Sequence, residues 1–239
     1  MKSSPTSPRK LSRSKIDLFL ECPCCFYLYQ KHHIKRPSGP PFLLNTAVDH
    51  LLKQEFDYHR SRGEQHPLQK KYGVDAIPIP HQDLDQWRHN FTGIQYLHPS
   101  TNFLIFGAID DLWQNSQNEY IVVDYKATSK KEPAKSADQL WPSFLTQMEI
   151  YQWLLRQKGY SVSRTGYFVH CNARKDKQAF DARLEFDVTL ISYQGDDGWV
   201  EQTIYQIHDC LNQSQTPNPS PRCEYCQYRQ KASNALSNS

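Results

Sequence analysis

The chain has 239 residues, 38% of them hydrophobic, which is enough for one globular domain with a sizeable core. No apolar stretch reaches the ~20 residues of a membrane-spanning helix, so we expect no membrane partner. Residues 1–15 are rich in Ser, Pro, Lys and Arg and lack the apolar core of an export signal, so we expect a cytoplasmic location.

The formal net charge is only +3, but it is unevenly distributed along the chain. Residues 1–36 contain eight Lys or Arg against Asp17 and Glu21, an excess of six positive charges that leaves the remaining residues at −3. A basic segment that also contains aromatic residues suits the phosphate backbone of a nucleic acid. For residues 1–10, a flexible tail with ordinary lysines is the alternative.

Hydrophobic periodicity and turn residues predict an α/β protein with a central mixed β-sheet flanked by helices. We expect disordered tails at residues 1–10 and 231–239 and a single domain over residues 11–230. A Pro-rich crossing segment is expected at 34–41 and a polar excursion from the end of the second helix to about 92. The predicted helices are 14–29, 43–60, 141–158 and 198–213, and the predicted strands are 93–98, 103–113, 119–128, 165–172 and 183–192.

Two neighbouring predicted strands carry acidic residues near their ends. The first contains Gly107-Ala-Ile-Asp110 and the second Val122-Val-Asp124-Tyr-Lys126. Asp124 and Lys126 are two residues apart and therefore point to the same face, and Asp110 joins them if the strands pair. Two carboxylates beside an ammonium can hold a divalent cation and position water against a phosphate. The alternative is solvated charge near a turn.

The predicted helix 141–158 has apolar residues at helical spacing, a proline in its first turn and Gly159 at its end. Gln147 and Tyr151 lie four residues apart on it and so share one face. The helix therefore supplies two polar groups that can face the same side of the sheet.

In this order and on these elements, Asp110, Asp124-x-Lys126 and Gln147-x-x-x-Tyr151 resemble the PD-(D/E)XK nuclease superfamily. Within it the chain is similar to RecB-type nuclease domains, which include CRISPR-associated adaptation nucleases, over roughly residues 11–230. The resemblance implies a restriction-endonuclease-like αβββαβ core, DNA as the partner, and DNA repair among the cellular settings. It also implies Mg²⁺ or Mn²⁺ bound by Asp110, Asp124 and the Tyr125 carbonyl, with Lys126 orienting the water. Gln147 and Tyr151 would support the site and the DNA backbone.

The resemblance further implies a metal-binding histidine on an early helix, for which His50 is the candidate. The family pattern has a glycine a few residues earlier, where this chain has Asn45-Thr46. A histidine at the surface or at the edge of the core is the alternative. We expect Asp49 and Asp111 to be solvated or supporting groups.

Seven cysteines form a second constellation. Cys22 and Cys25 make one C-x-x-C pair and Cys223 and Cys226 another, which together supply four thiolates for a tetrahedral metal site. Buried free thiols and disulfides are the alternatives. We expect Cys24 to point away from the metal, and Cys171 and Cys210 to be packing residues.

The resemblance implies that this metal is a 4Fe–4S cluster joining the two ends of the chain. Relatives usually hold it with one N-terminal and three C-terminal cysteines, whereas two-plus-two spacing fits structural Zn²⁺ equally well. The sequence thus predicts a metal-dependent DNA nuclease. The alternatives are a catalytically inactive nucleic-acid-binding module of the same fold and a zinc-stabilised protein-interaction domain.

Overall fold

The computed structural model describes residues 7–39 and 43–237, so the expected tail at residues 1–6 and part of the Pro-rich segment lie outside the described residues. The elements in chain order are β1 (Arg9–Ser12), α1 (Arg13–Glu21), α2 (Pro23–His32), α3 (Leu43–Arg62), α4 (Pro67–Lys71), β2 (Ile77–Pro78), α5 (Leu84–Trp87), β3 (Ile94–His98), β4 (Phe103–Gly107), β5 (Asp111–Gln114), β6 (Tyr120–Thr128), a short 3-10 helix (Ala137–Gln139), α6 (Pro142–Gln157), β7 (Thr165–Ala173), β8 (Phe186–Gln194), α7 (Val200–Asn212) and α8 (Glu224–Ser237).

The chain divides into two compact units. The first comprises Met1–Pro40, Leu97–Ile105 and Gly198–Ser239, and the second comprises Pro41–Tyr96 and Phe106–Asp197. Among the described residues, no helix is long and apolar enough to span a bilayer.

The second unit contains a five-stranded mixed sheet in the order β2-β5-β6-β7-β8. β6 and β7 are parallel, whereas the other pairs are antiparallel. A separate three-stranded sheet has the order β1-β4-β3. The α/β class with a mixed sheet flanked by helices is therefore confirmed.

The predicted strand 103–113 is wrong as one continuous element. β4 ends at Gly107 and β5 begins at Asp111, so 93–98 and 103–107 belong to the three-stranded sheet and only 111–114 joins the central one. Backbone groups of the intervening residues bond outside any strand. The N–H of Ile109 donates to the Trp87 carbonyl at 3.1 Å, and Arg88 Nε donates to the Asp110 carbonyl at 2.9 Å.

The predicted helix 14–29 is also interrupted. Cys22 has extended backbone angles between α1 and α2, and its N–H closes α1 on the Leu18 carbonyl at 2.9 Å. Pro23 then starts α2, because its missing N–H is not needed in the first turn of a helix. At the other end, α8 extends to Ser237, so residues 231–237 are helical rather than a disordered tail, and Arg9 and Lys10 belong to β1.

The core of the second unit lies around β6. Leu52 and Phe56 of α3 belong to the same buried cluster as Val123 and Tyr125. Successive strand residues point to opposite faces, so Asp124 and Lys126 face away from this cluster. They face α6, whose Gln147 contacts both of them. The site residues thus lie on the face of the sheet opposite this cluster, among apolar residues such as Val122 and Met148.

Candidate active site

Asp110 lies at the break between β4 and β5, next to the catalytic strand predicted from the sequence. β5 and β6 are antiparallel with Asp111 opposite Val123. This register brings the main-chain N–H of Tyr125 to Oδ2 of Asp110 at 2.7 Å. The predicted pairing of the two strand ends is therefore present, although Asp110 itself precedes the strand.

Four of the predicted site residues form one connected cluster. Gln147 Nε2 donates to Asp124 Oδ1 at 2.7 Å and contacts the Tyr151 hydroxyl at 3.0 Å. The Lys126 ammonium forms an ion pair with Asp124 Oδ2 and donates to Gln147 Oε1 at 3.2 Å. Asp124 is fully buried. Lys126 offsets its charge, and Gln147 fixes the direction of its carboxylate.

Asp49 and Lys53 of α3 also reach the site. The sequence analysis expected Asp49 to be a solvated or supporting group and did not name Lys53. Lys53 Nζ lies 2.8 Å from Asp49 Oδ2 and 3.5 Å from Asp110 Oδ1. Burial and the nearby charge of Asp110 raise the pKa of Asp49. The four-residue spacing of Asp49 and Lys53 on a predicted helix is the sequence signal for this ion pair.

His50, the predicted histidine ligand, is exposed on α3. Of the hydrogen bonds and ion pairs that involve residues 43–237, none joins the imidazole of His50 to Asp110. Side chains of adjacent residues in a helix point in directions that differ by roughly 100° around the helix axis. The structure therefore places Asp49, rather than its neighbour His50, beside Asp110.

Asp111 is fully buried, so of its two expected settings, solvated or supporting, the solvated one is wrong. Five donors surround its carboxylate. These are the guanidinium groups of Arg60 and Arg88, the Leu112 N–H, the Trp113 indole N–H and the Tyr125 hydroxyl. Burial, followed by the charge of Asp111, raises the pKa of Tyr125 well above its usual value, so its hydroxyl stays protonated and donates.

Arg88 connects the buried Asp111 carboxylate to the main chain of Asp110. Its Nε donates to the Asp110 carbonyl at 2.9 Å, its Nη2 to Asp111 Oδ1 at 2.9 Å, and its Nη1 to both carboxylate oxygens of Asp57 at 3.0 and 2.8 Å. Asp110 is thus held by its main chain through Arg88 and by its side chain through Tyr125. No local sequence pattern indicates this network, because its donors come from distant positions.

A cleft of about 850 Å³ opens beside the cluster. Its lining is mainly apolar and includes Val48, Trp141 and Phe144, together with the polar groups of Asp49 and Lys126. Trp141 is 60% exposed, and the Lys126 ammonium lies 4.4 Å from the centre of the Phe144 ring. The cleft gives a substrate access to the lysine of the otherwise buried cluster.

In the first unit, the sulfurs of Cys22, Cys25, Cys223 and Cys226 lie within 4.8 Å of one another, and all four residues are buried. All seven cysteines are free thiols, so the disulfide alternative is not observed. Cys24 is outside the group and accepts a contact from Arg229 at 3.6 Å, whereas Cys171 and Cys210 are buried packing residues. The donor set is compatible with a metal.

The protein environment favours thiolate at part of this cluster. Burial opposes ionisation of Cys22, but the N–H groups of Cys25 and Ser220 outweigh it and lower the pKa of Cys22 to about 6. Burial and the neighbouring sulfurs raise the pKa of Cys226. A bound cation would offset the charge of the remaining thiolates, because metal binding requires deprotonated sulfur.

Comparison with known proteins identifies a family for this chain. No match is found among curated proteins. The solved chain described as "Crystal structure of SSO0001" is similar at 13% sequence identity and a TM-score of 0.47, with 95% of this chain and 87% of that chain covered. A profile of the PD-(D/E)XK nuclease superfamily matches residues 34–230, which include every predicted catalytic residue. The chain belongs to the PD-(D/E)XK nuclease superfamily.

Proposed function

We propose that this protein is a metal-dependent DNA nuclease of the RecB-type branch, with its reaction centre at Asp110, Asp124 and Lys126. The observation that carries the proposal is the connected cluster of Asp124, Lys126 and Gln147 beside the open cleft. A structural role alone does not require a buried carboxylate and lysine whose ammonium borders a cleft.

The acidic edge suits a divalent cation such as Mg²⁺ or Mn²⁺. Asp110 and Asp49 keep 22% and 34% of their side chains exposed, and the ammonium of Lys53 lies close to both carboxylates. Hard cations of this kind prefer carboxylate and carbonyl oxygens. We assign Asp110 and Asp124 as metal ligands, with the Tyr125 carbonyl and Asp49 completing the set. His50 is the alternative ligand from α3.

When bound, the cation lowers the pKa of a coordinated water and offsets charge that develops on the phosphate. The protein groups position the reactants. Lys126 orients the attacking water, Gln147 holds both Lys126 and the Asp124 carboxylate, and Tyr151 supports Gln147 from the same face of α6. In-line attack on phosphorus leaves a 5′-phosphate and a 3′-hydroxyl.

Cleavage of labelled DNA with Mg²⁺ or Mn²⁺ tests the proposal. We expect Asp124→Ala and Lys126→Ala each to lower the rate by roughly 10²–10⁴-fold, the usual effect of removing an acid–base or electrostatic group. Lys158→Ala is the matched control, because this exposed lysine is the C-cap of α6, beyond Gln147 and Tyr151. Binding of DNA without cleavage by the wild type would instead support an inactive binding module.

A further inference from the structure

We propose that the four cysteines hold one tetrahedral Zn²⁺ ion rather than a 4Fe–4S cluster, and that Arg36 is the positioning residue of this site. Cys22, Cys25, Cys223 and Cys226 form the zinc site, and Arg36 contacts it from the segment after α2. This inference is independent of the nuclease proposal, because it concerns the first unit alone.

The sulfur separations carry the choice of metal. A Zn–S bond of about 2.3 Å places the sulfurs of a tetrahedral site about 3.8 Å apart. Three of the six sulfur pairs are separated by 3.8 Å (Cys22–Cys226), 3.6 Å (Cys25–Cys223) and 3.5 Å (Cys25–Cys226), and all six pairs lie within 4.8 Å. In a 4Fe–4S cluster each thiolate binds a different iron, so the width of the cluster adds to the distance between sulfurs. The observed set matches a single ion.

The two C-x-x-C segments have matching local structures. Cys22 and Cys223 each precede a helix, and their carbonyls accept hydrogen bonds at 3.0 Å from the N–H groups of Phe26 and Gln227, four residues later. Cys25 and Cys226 therefore project from the first turns of α2 and α8. Two such segments supply two sulfurs each, which is the arrangement of structural zinc sites.

Arg36 is built into this site by three contacts. Its Nη2 donates to Cys223 Sγ at 3.3 Å, its Nη1 donates to Glu21 Oε2 at 2.7 Å, and its guanidinium lies 4.5 Å from the Tyr225 ring centre. A Zn²⁺ ion with four thiolates has a net charge of −2, which a guanidinium partly offsets. Glu21 and Tyr225 fix the direction of that guanidinium, so Arg36 acts on the metal through Cys223.

Arg229 provides a matched comparison. It also donates to a cysteine sulfur, at 3.6 Å, but its acceptor is Cys24, which lies outside the four-sulfur group. If the N–H···S contact to a metal-bound thiolate matters, Arg36 and Arg229 must differ in their effect on the metal. A general effect of positive charge near the cysteines would make them equivalent.

The test uses full-length protein purified anaerobically from iron- and zinc-supplemented cells. We expect a colourless protein with one zinc per chain, and release of that zinc to a coloured chelator about 10–100-fold faster in Arg36→Met, the range for loss of a group that supports a metal ligand. Arg229→Met should change the release rate by less than about twofold, because its acceptor Cys24 lies outside the four-sulfur group.

Arg36→Lys gives a second variant that keeps the charge, and we expect its release rate to lie between those of the wild type and Arg36→Met. Iron and sulfide in equal amounts, with the absorbance of an iron–sulfur cluster, would overturn the choice of zinc. Equal release rates in folded Arg36→Met, Arg229→Met and wild type would overturn the role of Arg36.

Discussion

The main-chain N–H of Tyr125 donates to Oδ2 of Asp110 at 2.7 Å, which fixes the direction of a carboxylate at the break between two strands. A neutral amide at position 110 could keep this hydrogen bond through its oxygen while losing the negative charge. The contact therefore allows the charge of Asp110 to be tested separately from its position.

We predict that Asp110→Asn weakens Mn²⁺ binding at least about tenfold, because an anionic ligand becomes neutral. DNA affinity measured in chelator should stay the same or increase, because a charge that repels phosphate is removed. Mn²⁺ titration and fluorescence anisotropy with labelled DNA measure the two quantities. Unchanged Mn²⁺ affinity would count against Asp110 as a ligand.

The adjacent pair Asp49 and His50 gives a second prediction. Asp49→Asn should weaken Mn²⁺ binding and slow cleavage, because Asp49 shares Lys53 with Asp110. His50→Gln, an exposed change one residue later, should alter Mn²⁺ affinity less than about twofold, within the ±0.5 kcal/mol usual for exposed substitutions. The reverse order of effects would restore the histidine as the ligand from α3.

The buried Asp111 predicts a graded loss of stability. Tyr125→Phe removes one of its donors and should lower the free energy of unfolding by about 1–2 kcal/mol. Asp111→Asn leaves Arg60 and Arg88 facing a neutral group and should cost about 3–5 kcal/mol. Urea unfolding of both variants measures the difference. Equal losses would mean that the charge of Asp111 contributes little.

Close packing at Gly166 predicts a coupling between β7 and α6. A Cβ on Gly166 would collide with the sulfur of Met148, the residue that follows Gln147 in α6. Gly166→Ala should therefore lower the free energy of unfolding by about 1–3 kcal/mol and slow cleavage by displacing α6.

Met148→Ala makes room for the added methyl, so the double variant should be more stable than the sum of the single losses implies. Denaturant unfolding of the four proteins gives the coupling free energy. Strict additivity would show that Met148 is not the group that meets the methyl.

The cysteines predict a contrast between two positions of the first unit. Cys223→Ser should release the metal, lower the melting temperature and expose α8 to protease, because metal binding can add roughly 10 kcal/mol or more to folding. Cys24→Ser should lower the melting temperature much less, because Cys24 lies outside the four-sulfur group. Calorimetry and limited proteolysis distinguish the two. Similar behaviour of both variants would argue against the two-plus-two site.

The sequence predicted that Asp124, Lys126, Gln147 and Tyr151 lie together, because its signals are local. Asp124 and Lys126 follow the two-residue period of a strand, and Gln147 and Tyr151 follow the four-residue spacing of a helix. The family profile confirms the superfamily assignment that these residues carried. The RecB-type branch and the individual roles stay predictions.

Features set by tertiary contacts were not accessible in the same way. The apolar pattern continues through Ile109, so it gives no sign that Trp87 and Arg88 take the backbone groups of this segment out of a strand. Likewise, the apolar pattern of α3 could not show that Asp49, rather than His50, is the residue of this helix that lies beside Asp110. Arg60 and Arg88 reach Asp111 across 51 and 23 residues.

The position of Lys53 near Asp49 and Asp110 has a consequence for the folding of this acidic edge. An ammonium that belongs to the chain is always present, so the acidic edge has a resident counter-ion before any cation arrives. Folding of this edge is therefore expected not to require the proposed cation, because Lys53 already offsets part of the repulsion between Asp49 and Asp110. Removal of that cation would then end the proposed cleavage and leave the chain folded.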